Sequence, residues 1–315
     1  FSITRNLRTF GIYQRQLLAF NILRLRKRHD IVINTHGDTM IIPAHLTYMH
    51  FPTVTFLEGP WSPYTKYYGS LFWRFYFTPY SLILKATMKT LGETVLLTNS
   101  KFSCEVIKQY LSRNALVVYP PVEVGEYVRL ASSDRRDNSV VIISRFTAEK
   151  NLHLVPYIAY LLPDVEFNIV GSVRGFRSQE YFMEVKRTSE ELGLRNLKLY
   201  PNAPHELKLK LLSKSKVLLH MMPYEHFGIV VVEGQASGCV PVVHRSGGQW
   251  MDIAEEGRYG IGYGSLDPEE IARSIEKAID WWSPELAYEL SRHAMLFSDE
   301  RFREKIVRIV KALHS

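Results

Sequence analysis

Short runs of β-branched and apolar residues alternate with amphipathic stretches along most of the chain. In the second half, the runs at 139–144 (SVVIIS), 165–171 (VEFNIVG), 197–200 (LKLY), 217–222 (VLLHMM) and 240–244 (VPVVH) are nearly continuously apolar. Strands buried on both faces have this composition. Between them, 151–162, 178–193, 204–214 and 228–238 carry helical spacing. Strand and helix in strict alternation predict a parallel, doubly wound sheet with right-handed crossovers. In the first half, IVINT (31–35), TVLLTNS (94–100) and ALVVYP (115–120) read as further buried strands, and 12–29 as a basic helix ending RLRKRHD. The chain closes with helical patterns at 267–281, 284–296 and 299–314. Pro268 and Pro284 fall in first turns, and Ser298 is a candidate N-cap. The polar stretch 132–138 (SSDRRDN) reads as a linker. The fold class predicted is α/β, with two Rossmann-like, doubly wound parallel-sheet domains facing a cleft. They would occupy 1–130 and 131–283, with closing helices at 284–315 that return to the first domain.

Composition narrows the function. A length of 315 residues fits about two domains. With 46% apolar and 23% charged residues, the chain is globular rather than disordered. No apolar run reaches the roughly 18 residues that span a bilayer. Cys104 and Cys239 lie far apart without a C-x-x-C, which excludes a disulfide scaffold and a zinc ribbon and fits a reducing compartment. The net charge is +7. Residues 1–128 hold 14 basic and 7 acidic side chains while 129–315 hold 25 of each, so the surplus belongs to the first domain alone. Gly59 to Gly92 contains no acidic residue, and ten of the twenty residues at 61–80 are aromatic. Aromatics with cations and no anions make a membrane-interface composition. Trp61, Lys66, Trp73 and Arg74 are the candidate contacts with an anionic membrane surface. A buried aromatic cluster with outward cations is the plainer alternative. A nucleic-acid partner is disfavoured, because no recognition motif accompanies the charge.

Three segments carry candidate chemistry. EHFGIVVVEGQASG (225–238) follows a strand and opens a helix at Gly228-Ile229-Val230. Free amides at a helix N-terminus beside a glycine accommodate an anion. Glu225 and Glu233 flank that nest, so one could hold sugar hydroxyls and the other a ribose diol. Solvated surface glutamates are the alternative. SRFTAEKN (144–151) places Arg145 and Lys150 at the carboxyl end of a strand, where open α/β sheets bind ligands and where a guanidinium and an ammonium suit a pyrophosphate; taken alone, a pair of solvated loop cations is the plainer reading. Gly247 and Gly248 in SGGQWMD (246–252) form either a second anion nest or a tight turn. His36, His45 and His50 match no zinc spacing, and the chain has no D-x-D for a bridging metal. No cofactor or metal is expected.

R-x-x-x-x-K after a strand, E-x(7)-E enclosing F-G, and S-G-G together resemble glycosyltransferase family 4, retaining enzymes of the GT-B fold. YMHFPT (48–53), TNS (98–100), VVYPPVEV (117–124), HRSGGQWMDI (244–253) and FSDERF (297–302) bring the resemblance closer to members that extend lipid-linked oligosaccharide for protein N-glycosylation. It implies GDP-mannose as donor, a polyprenyl- or dolichyl-pyrophosphate oligosaccharide as acceptor, and an alpha-1,2 linkage made peripherally on the cytosolic membrane face. It implies further that Arg145 and Lys150 hold the donor diphosphate and Glu225 faces the donor sugar. The backbone of Phe227, Gly228 and Ile229 would line the sugar and phosphate, Glu233 would bind the ribose, and His50 would lie near the sugar. A family member begins with a strand and a glycine-rich loop. Phe1–Gly11 supplies neither, so the first domain reads as lacking them. Another donor such as a UDP-hexose, and a nucleotide-sugar epimerase, are the enzymatic alternatives. A basic membrane- or nucleic-acid-binding protein and an inactive membrane scaffold are the others.

Overall fold

The computed structural model describes residues 28–38, 44–52, 94–133 and 135–314, with positions 25, 42, 71–72, 75–76, 78–80 and 82–83 between them. Phe1–Gly11, most of the basic helix expected at 12–29, and Trp61, Lys66, Trp73 and Arg74 lie outside the described residues. The chain divides into two compact units, Phe1–Tyr119 with Arg303–Ser315, and Pro120–Phe302.

In the first unit, β1 (Ile33–Asn34), β2 (Leu46–Met49), β3 (Val95–Thr98) and β4 (Leu116–Val117) form a parallel sheet in the order β1-β2-β3-β4. All four residues of β2 are buried. Sequence reading missed this strand because four residues mixing Thr and Tyr with apolar neighbours are too few to establish a period. Helix α1 (Lys101–Leu111) follows β3, and Ser100 caps it by accepting from Ser103 N. The Tyr48 hydroxyl donates to the Val118 carbonyl at 2.7 Å, which satisfies a phenol buried beneath the sheet.

The second unit begins with the short helix α2 (Val124–Val128). It then alternates β5 (Asp137–Ile143), α3 (Val155–Leu161), β6 (Glu166–Gly171), α4 (Phe176–Glu191), β7 (Leu197–Pro201), α5 (His205–Lys214), β8 (Ser215–His220), α6 (Ile229–Ala236) and β9 (Val240–His244). A π-turn at Gln249–Ile253, strand β10 (Ile261–Tyr263) and helices α7 (Pro268–Trp281) and α8 (Pro284–Ala294) follow, and the last helix, α9 (Asp299–His314), starts in this unit and belongs to the first from Arg303 on. The six strands are parallel, in the order β10-β9-β8-β5-β6-β7. Val140, Ile142, Phe167, Ile169, Val217, Leu219, Val240 and Val242 line one face of the sheet, where α7 contributes Ile271 and Ile275, and Val141, Leu218 and Val243 are buried on the other. Asp267 and Ser283 cap α7 and α8, whose first turns hold Pro268 and Pro284. Ser298 Oγ accepts from Arg301 N at 3.3 Å.

Three differences from the sequence reading bear on the site and the core. β8 ends at His220 rather than 222, which leaves Met221 and Met222 in a loop. β10 escapes the pattern because its three residues include a glycine. The stretch 132–138 is no linker, because β5 starts at Asp137 and Arg136 is buried. The Arg136 guanidinium donates to the carbonyls of Leu212 (3.0 Å), Ser215 (2.8 Å), Leu130 (2.9 Å) and Ser237. Charge made this segment look solvated, whereas four carbonyls pay for the arginine's burial. The division between the units falls at Tyr119 and Pro120.

Candidate functional site

The strand order makes one place in the second unit special. From β5 the chain winds through β6 to β7, and from the adjacent β8 it winds the opposite way through β9 to β10. The two connections diverge where β5 and β8 meet, opening a crevice beyond their carboxyl ends. The loop leaving β5 carries Arg145 and Lys150, and the loop leaving β8 carries Glu225.

These loops are tied together. Asn151 adopts φ +54° to end the turn Ala148–Lys150, and its side-chain amide donates to the Met221 carbonyl at 2.8 Å. Lys150 Nζ lies 2.6 Å from Glu225 Oε2, with the side chains only 14% and 20% exposed. His220 Nε2 approaches the same oxygen at 3.2 Å from the last residue of β8. A carboxylate only accepts, so Nε2 carries the proton and donates. The far side of the loop is pinned to the segment after β9. Tyr224 N donates to Ser246 Oγ (2.8 Å), Gly248 N to the Glu225 carbonyl (2.9 Å) and Gln249 Nε2 to the Met222 carbonyl (2.8 Å). Gly247 sits at φ +76°, and a Cβ there would collide with the Glu225 backbone. The paired glycines are therefore a close packing of two loops that fixes Glu225.

The electrostatics follow from this packing. Burial alone would raise the Glu225 carboxyl, but His220 and Lys150 outweigh it and hold the group far below the usual carboxylate range. Burial pushes His220 below the ordinary imidazole value, and the Lys150 charge adds to that effect against the favourable pull of Glu225. The working state is thus an ionised Glu225, a charged Lys150 and a neutral, donating His220.

Beside this cluster Gly228, at φ +107°, opens α6. The first amides donating within the helix are those of Val231 and Val232, both to the Gly228 carbonyl. The Ile229 and Val230 amides therefore stand at the positive end of the helix dipole. Phe227 is buried and packs edge-on against Phe297 with ring centroids 5.6 Å apart, so its side chain anchors the loop.

Glu233, one turn further along α6, sits in a second cluster of similar logic. Tyr127 of α2 donates to its Oε1 at 3.0 Å, and Lys208 of α5 stands 2.8 Å from Oε2 and 2.8 Å from the Tyr127 oxygen. The Lys208 approach to Oε2 is an ion-pair contact rather than an aligned hydrogen bond, since that oxygen has no partner of hydrogen-bonding geometry. Burial and the Glu233 charge push the Tyr127 phenol far upward, so it remains a donor. Each carboxylate of the spaced pair is thus held by one lysine and one neutral donor.

The other candidates are placed differently. The Arg145 side chain is 68% exposed and comes within 3.7 Å of Glu149. It makes no contact with the Lys150–Glu225 pair. His50 belongs to the first unit, where its backbone amide donates to Asp38 Oδ1 at 2.6 Å and its exposed ring lies edge-on to Tyr48. His45 Nδ1 accepts from Val32 N at 2.9 Å, a structural role. Among the described residues no cluster of three or more His, Cys, Asp or Glu could hold a metal ion. Sequence reasoning missed His220, Tyr127 and Lys208. Only His220 left a signal, as the polar residue inside the apolar run VLLHMM. Tyr127 and Lys208 meet Glu233 through tertiary packing of separate helices. A cavity of about 540 Å³ along β10, lined by Arg245, Trp250, Arg273 and Lys277, includes no residue of either carboxylate cluster.

A doubly wound sheet with a cation–carboxylate pair at its switch point, accompanied by a second parallel-sheet unit, defines the GT-B class of glycosyltransferases. The family model described as "Glycosyl transferases group 1" matches residues 131–294, and the chain belongs to that family. Solved structures with this fold include a glycosyltransferase from Rickettsia africae (17% identity, TM-score 0.68, 96% of this chain and 82% of that one). Another is Anabaena HepE in complex with UDP (16% identity, TM-score 0.70, 94% and 82%). Relatives named GDP-Man:Man(3)GlcNAc(2)-PP-Dol alpha-1,2-mannosyltransferase occur in Neurospora crassa (31% identity, 60% of this chain and 37% of the relative) and Xenopus laevis (30%, 59% and 41%). The chain spans about two fifths of the length of these relatives.

Proposed function

We propose that the chain is a family 4 glycosyltransferase that moves mannose from GDP-mannose to a dolichyl-pyrophosphate oligosaccharide in alpha-1,2 linkage, with retention and without a metal. The observation that carries this reading is the Lys150–Glu225–His220 cluster at the switch point beside the N-terminus of α6. Lys150, the α6 amides and, swinging in from solvent, Arg145 would receive the donor diphosphate. Glu225 would accept from sugar hydroxyls, Glu233 from the ribose diol, and His50 would serve the sugar from the first unit.

Retention by two displacements needs a carboxylate nucleophile beneath the anomeric carbon. Glu225 suits that task poorly, because two donors already occupy Oε2 and its charge is strongly stabilised. A same-face route fits better. The glycosidic bond to the diphosphate breaks through an oxocarbenium-like state, the acceptor hydroxyl bonds to the same face, and its proton passes to the departing phosphate. Catalysis then rests on stabilising the leaving group.

The acceptor places the enzyme peripherally at the cytosolic membrane face. Leu71, Phe72, Phe75 and Leu82 of the first unit are 63–77% exposed within the acid-free segment, as an apolar element that meets lipid requires. Among the described residues no helix is long and apolar enough to cross a membrane. The test is a transfer assay with Man3GlcNAc2-pyrophosphoryl-dolichol and a panel of donors. Mannose should be added from GDP-mannose as an alpha-linked product. Preference for a UDP-hexose, or release of a free epimerised sugar, would overturn the assignment.

A further inference from the structure

Glu225 Oε2 is shared by donors from two elements, Lys150 Nζ at 2.6 Å and His220 Nε2 at 3.2 Å. One is a permanent cation on a flexible stem. The other is an imidazole fixed in the sheet, 5% exposed. The donor reading gives Lys150 a second task, because the same ammonium must meet the incoming diphosphate. A lysine drawn toward phosphate oxygens gives up part of its ion pair, and Glu225, in a largely buried position, would then lose the one permanent cation paired with it among the described residues. His220 cannot leave, since its backbone is the last rung of β8 and its carbonyl accepts from the Tyr263 hydroxyl at 2.9 Å.

Resting on that donor reading, we propose that His220 is a positioning residue that retains Glu225 while Lys150 engages the diphosphate, and that it takes up a proton as the donor binds. Nε2 already carries the hydrogen given to Glu225, so the added proton goes to Nδ1, from solvent. The charge count sets the direction. In the free protein a protonated His220 beside Lys150 would place two cations against one carboxylate in a site with little water, so the neutral ring prevails. A bound nucleotide-sugar diphosphate adds two negative charges to the cluster, and a second cation then offsets them. The groups acting on His220 keep this sign. Lys150 and Glu225 are its charged neighbours. Tyr263 of β10 stays protonated through burial. His244 of β9 lies beyond the Tyr263 ring, at 5.5 Å, and burial holds it below the ordinary imidazole value too.

Calorimetric titration of the chain with GDP-mannose, without acceptor, in buffers of different ionisation enthalpy reads the proton directly. The diphosphate of GDP-mannose does not titrate near neutrality, so any proton taken up belongs to the protein. Wild type should take up a fraction of a proton at pH 8 that grows toward about one near pH 7. H220Q keeps an N–H donor but cannot titrate, and its uptake should fall to zero. In steady-state assays H220L should lose at least tenfold in kcat with a smaller change in KM for GDP-mannose, and H220Q should recover most of that loss. Wild type binding GDP-mannose without proton uptake, or H220Q matching the wild-type uptake, would overturn the proposal while leaving the donor reading intact. Absence of GDP-mannose binding by a folded wild type would overturn the donor reading and this inference with it.

Discussion

Replacing Lys150 with Met removes the charge at the centre of the site while keeping an unbranched side chain of similar length. Removing one partner of a buried ion pair costs about 3–5 kcal/mol, because the other charge stays behind uncompensated. The pair here is partly open, at 14% and 20% exposure, and His220 remains bonded to Glu225, so the lower figure of about 2–3 kcal/mol applies. For a unit of this size that lowers Tm by roughly 4–12 °C. The loss carries a pH signature. Without Lys150 pressing on it, His220 protonates more readily and repairs the charge balance, so the destabilisation should be smaller at pH 6 than at pH 8. Turnover should fall by about 10²–10³, the usual cost of losing one preorganised stabiliser of a leaving group. Thermal melts at the two pH values, paired with GDP-mannose transfer rates, read all three effects. An unchanged melting point together with transfer within threefold of wild type would refute the reasoning.

Other substitutions probe the supports of the two carboxylates. Gly247→Ala forces a side chain into a left-handed backbone position against the Glu225 carbonyl, so Tm should drop by several degrees and turnover by at least tenfold; a silent variant would contradict the close-packing role. Tyr127→Phe deletes the phenol that holds Glu233 Oε1 and should raise KM for the donor about five- to tenfold with little change in kcat, as steady-state kinetics will show. Wild-type stability should fall as pH drops below about 6.5. Buried His220 and His293 are both pushed below the ordinary imidazole value, mainly by burial, so the unfolded chain takes up protons that the folded one refuses. Below about 4.5 the loss should steepen, since Glu225 is ionised in the fold to much lower pH than in the unfolded chain. Urea midpoints that stay level from pH 7 to 4 would contradict both statements.

Much of the second unit was legible in its sequence. Strands buried on both faces must be apolar throughout, so β5, β6, β8 and β9 stood out within two residues of their ends, and the alternation with helices dictated a parallel sheet. The first unit was harder, because β1 and β4 are two residues long and β2 is four. At the site, strand-end context and the family resemblance singled out Lys150, Glu225, Glu233 and the paired glycines, where spacing alone favoured solvated side chains and an ordinary turn. Spacing cannot express which side chain turns inward. Arg145 and Lys150 read alike, yet one extends into solvent and the other is buried against Glu225. It also cannot supply partners from distant segments, such as Tyr127 and Lys208, nor show that the charged stretch at 132–138 hides an arginine among carbonyls.

On the proposed function, the donor diphosphate binds where β5 and β8 diverge. A crystal structure of the chain with GDP-mannose tests it most directly. Phosphate oxygens should lie against Lys150 Nζ and the Ile229 and Val230 amides, with ribose hydroxyls on Glu233. A diphosphate seated instead in the cavity lined by Arg245, Trp250, Arg273 and Lys277, with the Lys150–Glu225 contact undisturbed, would contradict it.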